Sequence, residues 1–275
     1  MEQLRLEFND CQYTVDSTVQ RLIKVVKDWD SPRFRDFLNN IETHLETEQG
    51  FHNYRNLLVR FGIDERLGIK REIVVKKFKL TRKYDHFRFH FLPSKAFRSL
   101  EIALALIRNS INTPYPLAIV EERGKSNRLV NCYYITEFIK FDCSFFQVIN
   151  EFDGILKKKL IAATARSIRL LHDVGIIHND LHASNILLNN LEAEPSIYFI
   201  DLNRARRKKA VSDKTRAKDL GRLALKGQDQ ADFFSYYDTE KNSRLMAEIR
   251  KAQSRRECWL AFKRAYRRIK SKLFT

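Results

Sequence analysis

The stretch Ile176-Ile177-His178-Asn179-Asp180-Leu181-His182-Ala183-Ser184-Asn185-Ile186-Leu187-Leu188 decides how the rest of the chain is read. It follows a helical run, Leu156 to Val174, that Gly175 terminates. Its apolar ends bracket a polar loop with the spacing H-x-D-L-x-x-x-N. A second apolar run, Ile197-Tyr198-Phe199-Ile200, then ends in Asp201. Asp and Asn are common in ordinary turns, so an isolated H-x-D would carry no chemistry. Here the Gly-terminated helix, the loop spacing and the strand-borne carboxylate occur together and in order, which a plain turn does not require. Asp180 can orient an acceptor hydroxyl and take its proton. Asn185 and Asp201 set an amide and a carboxylate at adjacent strand ends, hard oxygen ligands of the kind magnesium needs when it rides on nucleotide phosphates. His178, at the start of the loop, would brace the backbone around them.

This constellation resembles the phosphoryl-transfer site of the protein-kinase-like fold. Such a site also needs a strand lysine on the nucleotide phosphates and a helix carboxylate to hold it. Val74-Val75-Lys76, followed by the helix that bears Glu101, has that order. Side chains alternate along a strand, so only one of Lys76 and Lys77 can serve; Lys76 is the assignment, and the sequence leaves the choice open. By themselves these residues would read as exposed strand charges and a solvated helix carboxylate. A Gly-rich loop over the phosphates is missing, because Gly50 and Leu57 are separated only by Phe51-His52-Asn53-Tyr54-Arg55-Asn56. The side chain of Arg55 or Asn56 would stand in for backbone amides. Tyr133-Tyr134-Ile135-Thr136-Glu137-Phe138 runs as a strand into a polar break, either a plain strand end or a hinge whose backbone, at Glu137, would meet the adenine edge.

The chain has 275 residues, 44% apolar and 31% charged, with 8 Gly and 5 Pro, which excludes collagen-like, low-complexity and mostly disordered classes. Apolar runs such as Leu160 to Leu171 are short or cut by Arg166 and Arg169, so no bilayer span is expected. Met-Glu-Gln-Leu-Arg-Leu-Glu lacks the pattern of a signal peptide, and a cytoplasmic location is expected. Cys11, Cys132, Cys143 and Cys258 form no C-x-x-C pair and read as reduced and structural. The net charge is +17, and from Arg204 onward 22 Lys and Arg face 8 Asp and Glu. A regional excess of this size favours a polyanionic partner over simple solvation of helix faces.

Helix signals cover Ser17 to Trp29 and resume after Asp30-Ser31-Pro32, where Ser31 caps, Pro32 takes the first helical position and Gly50 closes. Strand patterns occupy Leu57 to Phe61 and Ile73 to Phe78, a helix Ala96 to Asn109, and strands Leu117 to Glu121 and Leu129 to Phe138. Beyond Phe141 the pattern is helical. The fold class expected is α+β and bilobal, a small antiparallel-sheet lobe with one helix over residues 50–138 and a mainly helical lobe over 139–275, preceded by a helical extension over 1–49.

With these motifs in place, Lys95-Ala96-Phe97-Arg98-Ser99-Leu100-Glu101, Ile111-Asn112-Thr113-Pro114-Tyr115-Pro116-Leu117-Ala118, the 178–185 loop and Ile200-Asp201-Leu202-Asn203-Arg204-Ala205-Arg206 resemble the bacterial lipopolysaccharide core kinases that phosphorylate Kdo or heptose. The resemblance spans roughly Gly50 to Leu225. It implies ATP with Mg2+, a lipid-linked core oligosaccharide acceptor, and work at the cytoplasmic face of the inner membrane, peripheral to an anionic membrane surface. Nucleic acid is not expected as a partner. The resemblance makes Asp180 the base, gives the metal to Asn185 and Asp201, the phosphates to Lys76, and Lys76 to Glu101. Asp201 is followed by Leu202-Asn203 instead of Phe-Gly, no Ala-Pro-Glu follows, and His182 stands where serine/threonine kinases carry Lys; each argues against a protein substrate. A soluble small-molecule kinase of the aminoglycoside or choline type is the alternative enzyme. A kinase-fold protein that binds polyanions without turnover is the alternative from another class, and intact Lys76, Glu101, Asp180, Asn185 and Asp201 speak against it.

Two segments suggest membrane contact. Thr81 to Phe97 interleaves basic residues with Phe87, Phe89 and Phe91, a pattern shared by interfacial segments and half-buried strands. In the last helix Trp259, Phe262, Tyr266, Ile269 and Leu273 recur at spacings of three and four and form a stripe expected to dock on the helical lobe, with Arg264, Arg267 and Arg268 largely off it.

Overall fold

The computed structural model describes residues 13–18, 20–48, 50–52, 56–80, 89, 91–238 and 243–273. They fall into two compact units. One runs to Ala105 and resumes over Pro114–Ile139; the other takes Leu106–Thr113 and Lys140 onward. Together the described residues give a mixed α/β fold with eight α-helices.

The first unit is built on a seven-stranded antiparallel sheet of β1 (Tyr13–Ser17), β2 (Arg21–Val26), β3 (Phe51–His52), β4 (Asn56–Phe61), β5 (Ile73–Phe78), β6 (Pro116–Arg123) and β7 (Leu129–Glu137), in the order β1-β2-β6-β7-β5-β4-β3. Helices α1 (Pro32–Asn39) and α2 (Ile41–Thr47) cover one face, and α3 (Lys95–Arg108) lies on the other. Ile23, Val25, Val59, Ile73, Val75, Val120 and Ile135 meet Phe34, Phe37, Leu38 and Ile41 on the first face. Phe78, Ile119, Cys132 and Tyr134 meet Ala96 and Leu100 on the second. Strands β5, β6 and β7 thus sort their apolar residues between two cores by the alternation of their side chains.

The helix expected over 17–29 is a strand. Leu22, Ile23, Val25 and Val26 are branched residues that suit a pleated surface, and β2 finds ladder partners on both sides, in β1 and β6. Residues 13–48 therefore belong to the first unit's sheet and its helical cover, not to a separate helical extension. Ser31 caps as expected, its Oγ accepting from the Phe34 N–H at 3.2 Å with Pro32 at the first helical position. The helix does not run on to Gly50, because the chain breaks at Asn40 and α2 ends at Thr47. Residues 81–88 and 90 of the Thr81 to Phe97 segment, Phe87 among them, lie outside the described residues. Phe89 is buried with Phe78 and Leu100, a core position, while Phe91 is exposed.

In the second unit, α4 (Phe145–Glu151) leads into the long α5 (Gly154–Asp173), on which α7 (Gly227–Tyr237) packs. Helix α6 (Asp213–Leu220) packs against α8 (Ser243–Leu273). Two small sheets complete the unit. One orders β11 (Ser196–Phe199), β10 (Ile186–Asn189) and β8 (Cys143–Ser144); the other pairs β12 (Arg206–Arg207) with β9 (Ile176–Ile177). The stripe expected to dock, Trp259 onward, is not the part of the last helix that packs; residues nearer its start do. Leu245 and Ile249 are buried, but Trp259 and Phe262 are 56% and 69% exposed; the side chains of Tyr266, Ile269 and Leu273 lie outside the described residues. The helix has outrun the body it packs on. Cys132 and Cys143 are buried, which pushes their thiols up to about 12 and about 11, whereas Cys258 is exposed. No helix among the described residues is long and apolar enough to cross a membrane.

Candidate active site

The approach to the 178–185 loop depends on Gly175. Its φ is +83°, and a Cβ there would sit 2.3 Å from the Lys208 carbonyl oxygen, so the turn from α5 into β9 tolerates no side chain. Gly175 O in turn accepts from the Lys208 N–H at 2.7 Å, which joins the strand before the loop to the strand after Asp201.

The loop is then held by its own polar groups. His178 and Asn179 donate their backbone N–H groups to Asp219 Oδ2 and Oδ1, each at 2.8 Å. Asp219 also lies 3.3 Å from His172 Nε2, whose ring is held through Nδ1 by Tyr237 Oη at 2.6 Å. Burial raises the Asp219 pKa, but the His172 hydrogen bond, the charges of His172 and His178 and the His178 amide outweigh it and hold the carboxyl below its usual range. His178 is buried, and its Nε2 donates to the Ile200 carbonyl at 2.9 Å, tying the loop to the residue before Asp201.

Asn185 Nδ2 donates to the Asp180 carbonyl at 2.9 Å, which fixes the amide plane and leaves its Oδ1 as the oxygen available for a cation. The Ile200 N–H donates to Asn185 O at 3.0 Å, so Asn185 and Asp201 are brought together by the backbone itself. Asp201 has φ +60°, a left-handed conformation that Asp tolerates better than most residues with a Cβ. Asn203 Nδ2 steadies its Oδ1 at 2.5 Å. The strand that delivers Asp201 is itself pinned by Asn112 and Thr113: Phe199 N–H donates to Asn112 O at 3.0 Å, and Thr113 Oγ1 donates to Phe199 O at 2.8 Å. One amide oxygen and one carboxylate are a donor set that fits magnesium, with the remaining positions left to water and phosphate oxygens.

The Asp180 carboxylate is mostly buried, and Arg204 Nη1 and Arg222 Nη1 both donate to its Oδ1, at 3.1 and 3.3 Å. These arginines and Asp219 were not found by reading the sequence. Asp219-Leu220-Gly221 looks there like an ordinary helix end, and Arg204 and Arg222 are lost among the basic residues around them.

The first unit holds the other candidates. On β5, Lys77 pairs with Glu42 of α2, on the face that α1 and α2 cover. Lys76 points to the opposite face, where its Nζ lies 5.2 Å from the Phe78 ring centroid and where α3, with the half-buried Glu101, packs. Asn56 is half-buried at the start of β4, opposite Phe78. Glu137 donates its N–H to Tyr115 O at 2.9 Å and takes Arg71 Nη1 on its carboxylate at 3.0 Å, and the Phe138 N–H goes to Glu72 O. Both backbone donors of the expected hinge are thus already engaged. Arg55 lies outside the described residues.

The 3-deoxy-D-manno-octulosonic acid kinases of Haemophilus influenzae strains 86-028NP and PittGG are 28% and 26% identical to this chain over 159 residues. Those residues are 58% of this chain and 64% of each relative, so the match spans less than two thirds of the relatives' length. The solved structure "WaaP in complex with acyl carrier protein" shares the fold at a TM-score of 0.57 and 20% identity, covering 82% of this chain and 97% of that one. The model of the lipopolysaccharide kinase (Kdo/WaaP) family matches residues 60–266, from the strand before Lys76 to the last helix, and the chain belongs to that family.

Proposed function

We propose that the protein transfers the γ-phosphoryl group of ATP to a hydroxyl of a lipopolysaccharide inner-core sugar, Kdo or heptose, as a bilobal protein-kinase-like enzyme. The observation that carries this reading is the 178–201 arrangement, in which one hydrogen-bond system orients Asp180, Asn185 and Asp201 together. The acceptor oxygen attacks the γ-phosphorus as its proton passes to Asp180, and the bond from that phosphorus to the bridging oxygen breaks, releasing ADP. Arg204 and Arg222 aim the Asp180 carboxylate. Asn185 and Asp201 would hold Mg2+, which neutralises charge on the phosphates. Lys76 would bind those phosphates, with Glu101 holding Lys76.

A lipid-linked acceptor places the enzyme at the cytoplasmic face of the inner membrane, where the basic residues beyond Arg204 would meet an anionic surface. Purified protein incubated with ATP, Mg2+ and core-containing lipopolysaccharide should add one phosphate to the core, read by mass spectrometry. In parallel, Asp201→Ala should lose the thermal stabilisation that MgATP confers on the wild type. No added phosphate on either Kdo- or heptose-containing core would overturn the reading.

A further inference from the structure

Around the single carboxylate of Asp180 the second unit gathers three guanidiniums. Besides Arg204 and Arg222 on its Oδ1, a third guanidinium arrives from α8: Arg256 Nη2 donates to His182 Nε2 at 3.3 Å, and His182 Nε2 lies 3.6 Å from the same Asp180 Oδ1. Among the described residues Arg256 has no carboxylate partner of its own. Burial, and then the Arg222 charge, hold its pKa below the usual arginine range. His182, an imidazole whose pKa burial and the neighbouring guanidiniums hold below its usual value against the pull of Asp180, offers Arg256 no carboxylate.

The placement of Arg256 is built into the packing. Leu245, Ile249, Ala252 and Arg256 follow at spacings of four, three and four, so one face of α8 carries two buried anchors, a small residue and then the guanidinium. Ala252 lies against Gly221, where an added Cβ would come within 3.4 Å of the Ala252 Cβ and 3.2 Å of Ala217 O. The close crossing of α8 therefore occurs next to Arg222, and the two guanidiniums meet beside the loop.

Like charges gathered in a half-buried place are costly unless an anion completes them. Asn185 approaches Asp180 through the backbone carbonyl, whereas the guanidiniums surround the carboxylate that meets the acceptor, so the missing anion belongs with the acceptor. We propose that Arg222 and Arg256 bind a carboxylate carried by the acceptor sugar, next to the hydroxyl that Asp180 serves, which makes the last helix a determinant of substrate choice. The planar guanidinium fork matches a carboxylate in two-point fashion. The proposal rests on the phosphotransfer reading for the role of Asp180 but concerns binding.

The test uses the full-length protein without nucleotide. Calorimetry measures binding of the methyl glycoside of 3-deoxy-D-manno-octulosonic acid and of its neutral carboxamide to the wild type, Arg256→Gln and Arg222→Gln. The wild type should bind the acid about 10- to 100-fold more tightly than the amide. Each variant should bind the acid only as well as the amide, with affinity for the amide and the thermal shift with MgATP unchanged. Arg256→Lys, which keeps the charge but not the fork, should fall between and stands in if Arg256→Gln does not fold. Equal weakening of acid and amide, no discrimination by the wild type, no binding of either probe, or loss confined to MgATP would overturn the proposal; the last would assign the cluster to the transferred phosphoryl group. Because calorimetry needs no turnover, a failure of phosphoryl transfer would sink the kinase reading separately.

Discussion

At Asp219 a single carboxylate takes two consecutive amides of the loop and the ring of His172, and it does so while almost wholly buried. Replacing it with Asn leaves an NH2 facing N–H donors, and the expected cost is roughly 3 kcal/mol in urea unfolding. The pH dependence follows from the direction of its shift. A carboxyl whose folded pKa lies below its unfolded value of 3.8 contributes fully above that value and loses its contribution as pH falls through the lower folded one. Unfolding free energies followed downward from about pH 5 should show a shallower acid limb for Asp219→Asn than for the wild type. At Asp180 the expectation differs, because the proposed partner of this residue is the acceptor and not the nucleotide. Asp180→Asn should lower phosphate transfer by about 10²- to 10⁴-fold while the thermal shift with MgATP persists. Near wild-type turnover in that variant would remove Asp180 from the reaction.

Strand β5 shows how an element converts adjacent residues into different roles. Lys76 and Lys77 are chemically identical and neighbours in the chain, yet the pleat sends one toward α3 and the other to Glu42 of α2. Lys76→Met should therefore abolish the thermal shift with MgATP. Lys77→Met should keep it and lose about 1 kcal/mol of stability, since Glu42 loses its ion pair and keeps the Tyr133 hydroxyl. The reverse pattern in the two melts would exchange the assignments. Strand β2 shows the opposite ambiguity, between two element types. Its run of branched residues contains spacings of three and four that mimic a helix, and only the partners β1 and β6, distant in sequence, select the extended form.

For the molecule as a whole, charge and packing part company along α8. Leu245 and Ile249 anchor its beginning, Arg256 reaches the 178–185 loop, and Trp259 and Phe262 stand exposed with Lys263 over the Trp259 ring at 4.8 Å. Exposed aromatics among basic residues suit the headgroup region of an anionic bilayer. A Trp259→Ser, Phe262→Ser double variant should bind anionic vesicles several-fold more weakly at low salt with an unchanged melting temperature, and added salt should narrow the difference. Equal binding by variant and wild type would exclude this helix from membrane contact.

By itself the sequence determined the loop from His178 to Asn185, the strand ending in Asp201 and the boundaries of α3, α5, β6 and β7, because those features rest on local spacing, periodicity and punctuation by Gly and Pro. It also determined that positive charge collects beyond Arg204. The tertiary structure decided what contact across many residues decides: that Tyr13 to Val26 joins the sheet, that Lys76 and Lys77 part, that Asp219 braces the loop, and that Arg222 and Arg256 converge near Asp180. A guanidinium on a strongly basic helix carries no mark in the sequence of the carboxylate or imidazole it will meet, since that meeting is set by how α8 crosses α6 at Gly221.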